Sequence, residues 1–264
     1  MTIHILAGLL LLPICAQAQD GLARRVDAAS EGEVRISFAA KPGVCGWENG
    51  ISTRGGESRD GNRVMISGSS TLSGRWDGEC VEGPVRVALT RRGGRVTDIK
   101  TRVGHPFRAT SARVTDLGIV DAREASDYLL ALAERGTDGE VGKDAIFPAT
   151  LAEGQVSWPA LMRIARRESA PRDTRNSAVF WLSEVAGEAA TRGLQEIADD
   201  DGDQEVRKQA VFALSRRPRN EAVPALIRIA RSHRDPELRR TALFWLGHSN
   251  DPRALALFEE ILKN

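Results

Sequence analysis

Three histidines lie outside the apolar N-terminal run, His105, His233 and His248, and they are the side chains best suited to move protons near neutral pH. Nucleophilic catalysis would need a Ser or Cys beside one of them and a carboxylate to orient the ring. His233 follows Ser232 and precedes Arg234 and Asp235, but that run matches no catalytic motif. The paired Cys and His spacings of zinc sites are absent. Gly55-Gly56 and Gly93-Gly94 lack the strand, loop and helix order of a phosphate cradle. These residues point to a protein that is not an enzyme, with no catalytic residue, no metal and no cofactor.

The cysteines are Cys15, Cys45 and Cys80. Cys15 follows an apolar run from Ile3 to Ile14 that is too short to span a bilayer, and precedes Ala16-Gln17-Ala18, a small-x-small cleavage pattern. The run reads as a signal peptide at residues 1–18, which implies an exported, periplasmic or secreted protein with no membrane insertion after removal. Cys45 and Cys80 then form an even pair in an oxidising compartment, and a disulfide is expected between them, with two reduced, packed thiols as the alternative. Closing that loop of about 35 residues would remove roughly 3 to 4 kcal/mol of unfolded-state entropy.

The cysteines fall where apolar residues alternate with polar ones. Val34-Ile36-Phe38 alternate with Arg35 and Ser37, Val85-Val87-Leu89 with Arg86 and Ala88, and Thr97-Ile99-Thr101-Val103 follow after Arg92-Gly93-Gly94. The glycines predict a hairpin turn, and Arg63 to Ile66 predicts another strand. Trp47 to Asn62 is polar and Gly-rich and reads as a long loop. A small antiparallel β domain over residues 19–110 follows, then a weakly patterned junction at 111–121.

From residue 122 to 264 the pattern changes to pairs of helices. Leu129-Leu132-Ala133, Leu161-Ile164-Ala165, Leu194-Ile197-Ala198, Leu226-Ile229-Ala230 and Phe258-Ile261-Leu262 recur at steps of 32, 33, 32 and 32 residues. Ala145, Ala178, Ala210 and Ala242 mark a second helix in each unit, at steps of 33, 32 and 32. Such a period predicts an α-solenoid of four helix pairs plus a capping helix, each pair burying its apolar face against its neighbours. Pro148 is expected to bend or shorten the first unit's second helix. Leu255 to Lys263 reads as a C-terminal cap with Glu259, Glu260 and Lys263 outward.

The second helices carry a resemblance. Asp235-Pro236-Glu237-Leu238-Arg239 with Ala242-Leu243-Phe244-Trp245-Leu246-Gly247, Asp203-Gln204-Glu205-Val206-Arg207 and Pro171-Arg172-Asp173-Thr174-Arg175 resemble HEAT repeats, most closely the short variety of phycobilisome-lyase-like proteins. The resemblance covers a little over half the chain. It implies an all-α HEAT-like solenoid that binds another protein, and with the alternating first half this gives an α+β chain of two domains, a small β domain followed by the solenoid. It also implies that Arg175, Arg207 and Arg239 form a structural ladder with Asp203 and Asp235. Some HEAT-repeat enzymes hold two irons on successive His-Glu pairs, and here no His is followed by Glu.

One repeated feature stands outside the buried stripe. At 100° per residue from Ala210, Leu214 falls near about 40° and Phe212 near about 200°. Phe147, Phe180 and Phe244 repeat that position, with Lys143, Asn176, Lys208 and Arg240 one turn earlier. An aromatic strip edged by basic or polar groups would make a concave groove for a peptide or partner helix, whereas sideways packing on the next helix would only thicken the core. The arginines from Arg216 to Arg240 lie near Asp199, Asp200, Asp201, Asp203 and Glu205 and read as a solvated, compensated face. With 37 basic and 36 acidic side chains the formal charge is +1, which gives no footprint for nucleic acid. The expectation is a non-catalytic interaction scaffold of a bacterial-type envelope, with a lyase-like accessory subunit or a structural spacer as alternatives.

Overall fold

Period-two alternation builds the first half of the molecule. The computed structural model describes residues 21–47, 50–53, 63–67, 70–74, 79–136, 139–154, 157–184 and 187–263. The expected leader at 1–18, with Cys15, and residues 48–49 and 54–62 of the expected loop lie outside these. A short helix, α1 (Leu22–Ala28), precedes β1 (Gly32–Phe38), where Val34, Ile36 and Phe38 are fully buried and Arg35 and Ser37 between them are half-buried. Strands β2 (Cys45–Trp47), β3 (Gly50–Ser52), β4 (Arg63–Ser67), β5 (Ser70–Gly74) and β6 (Val81–Glu82) form a five-stranded sheet in the order β5-β4-β3-β2-β6. Then β7 (Val85–Arg92) and β8 (Arg95–Val103) pair antiparallel across Gly93 and Gly94, whose φ values of 59° and 72° suit the left-handed hairpin turn the glycines predict.

The last strand departs from the expected pattern. β9 (Val114–Ile119) joins β1 in parallel, so the four-stranded sheet β8-β7-β1-β9 is mixed, and the stretch read as a junction at 111–121 carries a strand. Its alternation is weak because it is an edge: Val114 is 38 % and Ile119 86 % exposed, so no buried face imposed apolar residues. Cys45 and Cys80 are joined as a disulfide, tying β2 to the start of β6, with Cα atoms 5.3 Å apart.

Helices α2 (Ala122–Arg135) with α3 (Gly139–Thr150), α4 (Trp158–Arg166) with α5 (Arg172–Ser183), α6 (Glu188–Asp200) with α7 (Gln204–Ser215), and α8 (Arg219–Ser232) with α9 (Pro236–Gly247) pack as pairs, and α10 (Pro252–Lys263) follows. Asp121, Asp203 and Asp235 cap their helices, accepting from the backbone N–H of Glu124, Glu205 and Glu237, each at 2.9 Å. The repeat alanines Ala145, Ala178, Ala210 and Ala242 are all fully buried, as the helical period requires. Pro148 does not shorten its helix: α3 has 12 residues, like α5, α7 and α9, and the proline is buried. At α10, Ala254 and Leu257 are buried while Leu255, Ile261 and Leu262 are 63 %, 47 % and 86 % exposed. Glu259, Glu260 and Lys263 are exposed as expected, and these apolar side chains share the outer face with them.

The two halves share one core. β8 packs on α3, Ala40 bridges Ala152, Lys41 N–H donates to the Leu151 carbonyl at 2.8 Å, and Glu153 N–H donates to that of Ala39 at 3.0 Å. Leu22 N–H donates to Glu124 Oε1 at 2.6 Å, so α1 is tied to the first repeat as well.

Candidate partner-binding surface

The stacked second helices α3, α5, α7 and α9 bring their equivalent phenylalanines into one run of rings. Phe147 stacks on Trp181 at 5.1 Å, Phe180 on Phe212 at 6.4 Å, and Phe212 meets Trp245 at 5.0 Å. Phe244 closes the run against Trp245 at 5.0 Å and His248 at 4.5 Å. The partners follow from the residue after each phenylalanine, which is Pro148, Trp181, Ala213 and Trp245 in turn. Where the next helix offers Trp, the ring packs on it; where it offers Ala213, Phe180 stacks on Phe212 instead.

Exposure rises along the array. Phe147 is 3 % exposed, Phe180 and Phe212 are half-buried, and Phe244 is 56 % exposed. Phe147 is therefore core, not a contact residue, because Trp181 covers it. Phe147, Phe180 and Phe212 all pack sideways on a ring of the next second helix, but Phe180 and Phe212 stay partly exposed and Phe244 mostly so. Two clefts meet at Phe212. One of about 410 Å³ lies over α3, α5 and α7, lined by Lys143, Asp173, Asn176, Phe180 and Gln209 among others. The other, about 440 Å³, runs from Phe212 past Arg216 and Arg219 to Trp245 and His248.

The polar edge is more neutral than its residue types suggest. Lys143 pairs with Glu140 at 2.6 Å, Lys208 with Glu205 at 3.0 Å and Arg240 with Glu237 at 2.8 Å, each one turn apart. The hydrogen bond to Glu140 holds the Lys143 ammonium above its ordinary pKa. Asn176 takes the same place on α5, and among the described residues its buried Oδ1 has no hydrogen-bond partner. Arg216, expected on the solvated face, sits over the Phe180 and Phe212 rings at 5.5 and 5.9 Å while binding Glu184 at 2.6 Å.

The ladder forms with changed partners. Arg207 reaches Asp235 in the next unit at 3.1 Å, as expected. Arg175 pairs with Asp201 rather than Asp203, because Arg172 takes Asp203 at 2.6 Å and holds that carboxyl below its usual range. Arg239 donates to the carbonyls of His233 and Arg234 at 2.7 and 3.3 Å. Arg217 is buried, not solvated: it donates to Thr191 Oγ1 at 2.8 Å, to the carbonyls of Ser183 and Gly187 at 3.1 and 3.0 Å, and to Glu221 at 3.1 Å. No local motif marks that role, since its partners lie up to 34 residues away.

On the first helices, Arg163 pairs with Glu134, Arg166 with Glu196, Arg228 with Asp199 and Arg231 with Glu260. That face is charged and compensated, as the sequence suggests, whereas the second-helix face is aromatic. The histidines are engaged in structure: His105 Nε2 donates to the Gly46 carbonyl at 3.2 Å, buried His233 accepts through Nδ1 from Asp235 N–H at 3.0 Å, and His248 Nδ1 donates to the Phe244 carbonyl at 2.8 Å. Among the described residues no group of three or more His, Cys, Asp or Glu gathers to hold a metal.

Antiparallel helix pairs repeating every 32 or 33 residues, stacked so that equivalent positions meet, define an α-solenoid repeat protein. Residues 191–264 match the family model described as HEAT repeats, which supports a HEAT-like repeat protein. No curated protein matches the chain. HEAT repeats are in general protein-interaction scaffolds.

Proposed function

We propose that this is an exported, non-catalytic interaction scaffold whose second-helix face holds a segment of another protein. The observation that carries the reading is the aromatic run Phe180, Phe212, Trp245 and Phe244, which keeps free surface over three consecutive units beside two clefts. Rings held by their neighbours present apolar area that costs little entropy to order, which suits them as anchors. Phe147 is excluded from the contact set, and Lys208, Arg240 and Asn176 edge it. Among the described residues no helix is long and apolar enough to cross a membrane. Affinity capture from the native source followed by mass spectrometry tests the reading. Phe212→Ala with Phe244→Ala is expected to lose the partner that the parent and Gln195→Ala retain; equal capture by all three would overturn it.

A second reading is an accessory subunit that assists modification of a partner, as in phycobilisome-lyase-like proteins. It draws on the short period and the Asp235-Pro236-Glu237-Leu238-Arg239 cap. Absorbance of the purified protein after incubation with a bilin separates the two: a bound chromophore favours the accessory role.

A further inference from the structure

We propose that the cleft between α7, the start of α8 and α9 recognises a carboxylate carried next to an apolar side chain on the partner segment; this deepens, and rests on, the reading of the second-helix face as a binding surface. Phe212 and Trp245 give the cleft its apolar wall, while Arg216, Arg219 and His248 give it basic groups. No Asp or Glu is among the described residues that line it.

The cations differ in how far the fold has used them. Arg217 is committed to Thr191, Ser183, Gly187 and Glu221 and is structural. Arg216 engages Glu184 through Nε at 3.0 Å and Nη2 at 2.6 Å, so its charge is already paired. Arg219 is exposed at the first turn of α8, and among the described residues its guanidinium makes no hydrogen bond or ion pair. The carboxylate that feels its charge, Asp251, is held by Arg253 at 2.9 Å and caps α10 through Arg253 N–H at 2.9 Å. It is therefore not available to turn towards Arg219.

The neighbouring cleft has another character. There Lys143 is paired, Asp173 adds a negative charge, and Asn176 and Gln209 contribute amides, so it suits a neutral apolar stretch. A partner segment lying along the rings would thus place apolar residues over α5 and α7 and its acidic group between α7 and α9. A guanidinium beside an aromatic wall binds a planar carboxylate well because ring contact displaces water and the charge-assisted bond strengthens as water leaves. The carboxylate can come from a chain terminus or from a Glu next to the apolar residue, and the chemistry is the same.

Three synthetic peptides with one apolar sequence ending in Phe test this by calorimetric titration into the full chain. One has a free terminal carboxylate, one is amidated, and one is amidated with Glu before the Phe. The expected result is that the first, the third or both bind at least about tenfold more tightly than the plain amide, a difference of about 1.4 kcal/mol. That advantage is expected to vanish in Arg219→Gln, to shrink in His248→Gln and to persist in Arg192→Gln on α6. Which acid binds better tells the terminus from the side chain. The inference is overturned if all three peptides bind alike, if the advantage survives Arg219→Gln, or if none binds at about 5 mM. Equal binding of all three that Phe212→Ala weakens would remove the carboxylate and keep the binding face.

Discussion

Phe147, Phe180, Phe212 and Phe244 hold one register position, yet what each does is decided by the residue after the equivalent phenylalanine on the next helix. Their period is legible in the sequence, but their burial is not, because Trp181, Ala213 and Trp245 act across helices more than 30 residues away. Phe147→Ala is expected to leave a cavity costing about 3 to 5 kcal/mol, and Phe244→Ala less than about 1 kcal/mol, read by urea denaturation. Similar costs at both positions would mean that the burial gradient is wrong. Asp251 gives a pH signature. The hydrogen bond from Arg253 holds its carboxyl down at about 2, so its contribution is fully present above the unfolded value near about 4 and is lost as pH falls through about 2. The stability gap between the parent and Asp251→Asn is expected to narrow between about pH 4 and pH 2 and to stay constant above that range. A gap unchanged down to pH 2 would contradict it.

Helix pairs were readable because caps, periodic leucines and small residues agree at every unit. Strand β9 was not, since an exposed edge has no need of apolar alternation and its pairing with β1 spans most of the sheet half. Nor was the clasp that Arg217 makes between the α5 end, α6 and α8, because its partners are two carbonyls, a hydroxyl and a carboxylate without a common spacing. Replacing Arg217 by Met is expected to leave Ser183, Gly187 and Glu221 short of a donor in a buried place and to cost about 3 to 5 kcal/mol. Arg231→Met, on the exposed first-helix face, is expected to cost under about 1 kcal/mol. Ala210→Asp would put a carboxylate into the fully buried stripe and is expected to cost several kcal/mol, about 3 or more, by helical circular dichroism melting.

The sheet half and the repeat array meet through β8 on α3 and through paired backbones at Ala40 and Ala152, so the first repeat is capped by the sheet where its other side would face solvent. Reducing the Cys45 to Cys80 bridge is expected to cost roughly 2 to 5 kcal/mol and to lower the melting of the sheet before that of the far repeats, because each unit senses only its neighbours. The array's far units carry the exposed rings. Site-specific photocrosslinking tests the central claim most directly, with a benzophenone amino acid placed at Phe244, at Phe212 and, as a control on the first-helix face, at Arg192. One partner is expected to crosslink from positions 244 and 212 and not from 192. Crosslinks from 192 alone, with none from 244 or 212, would contradict it.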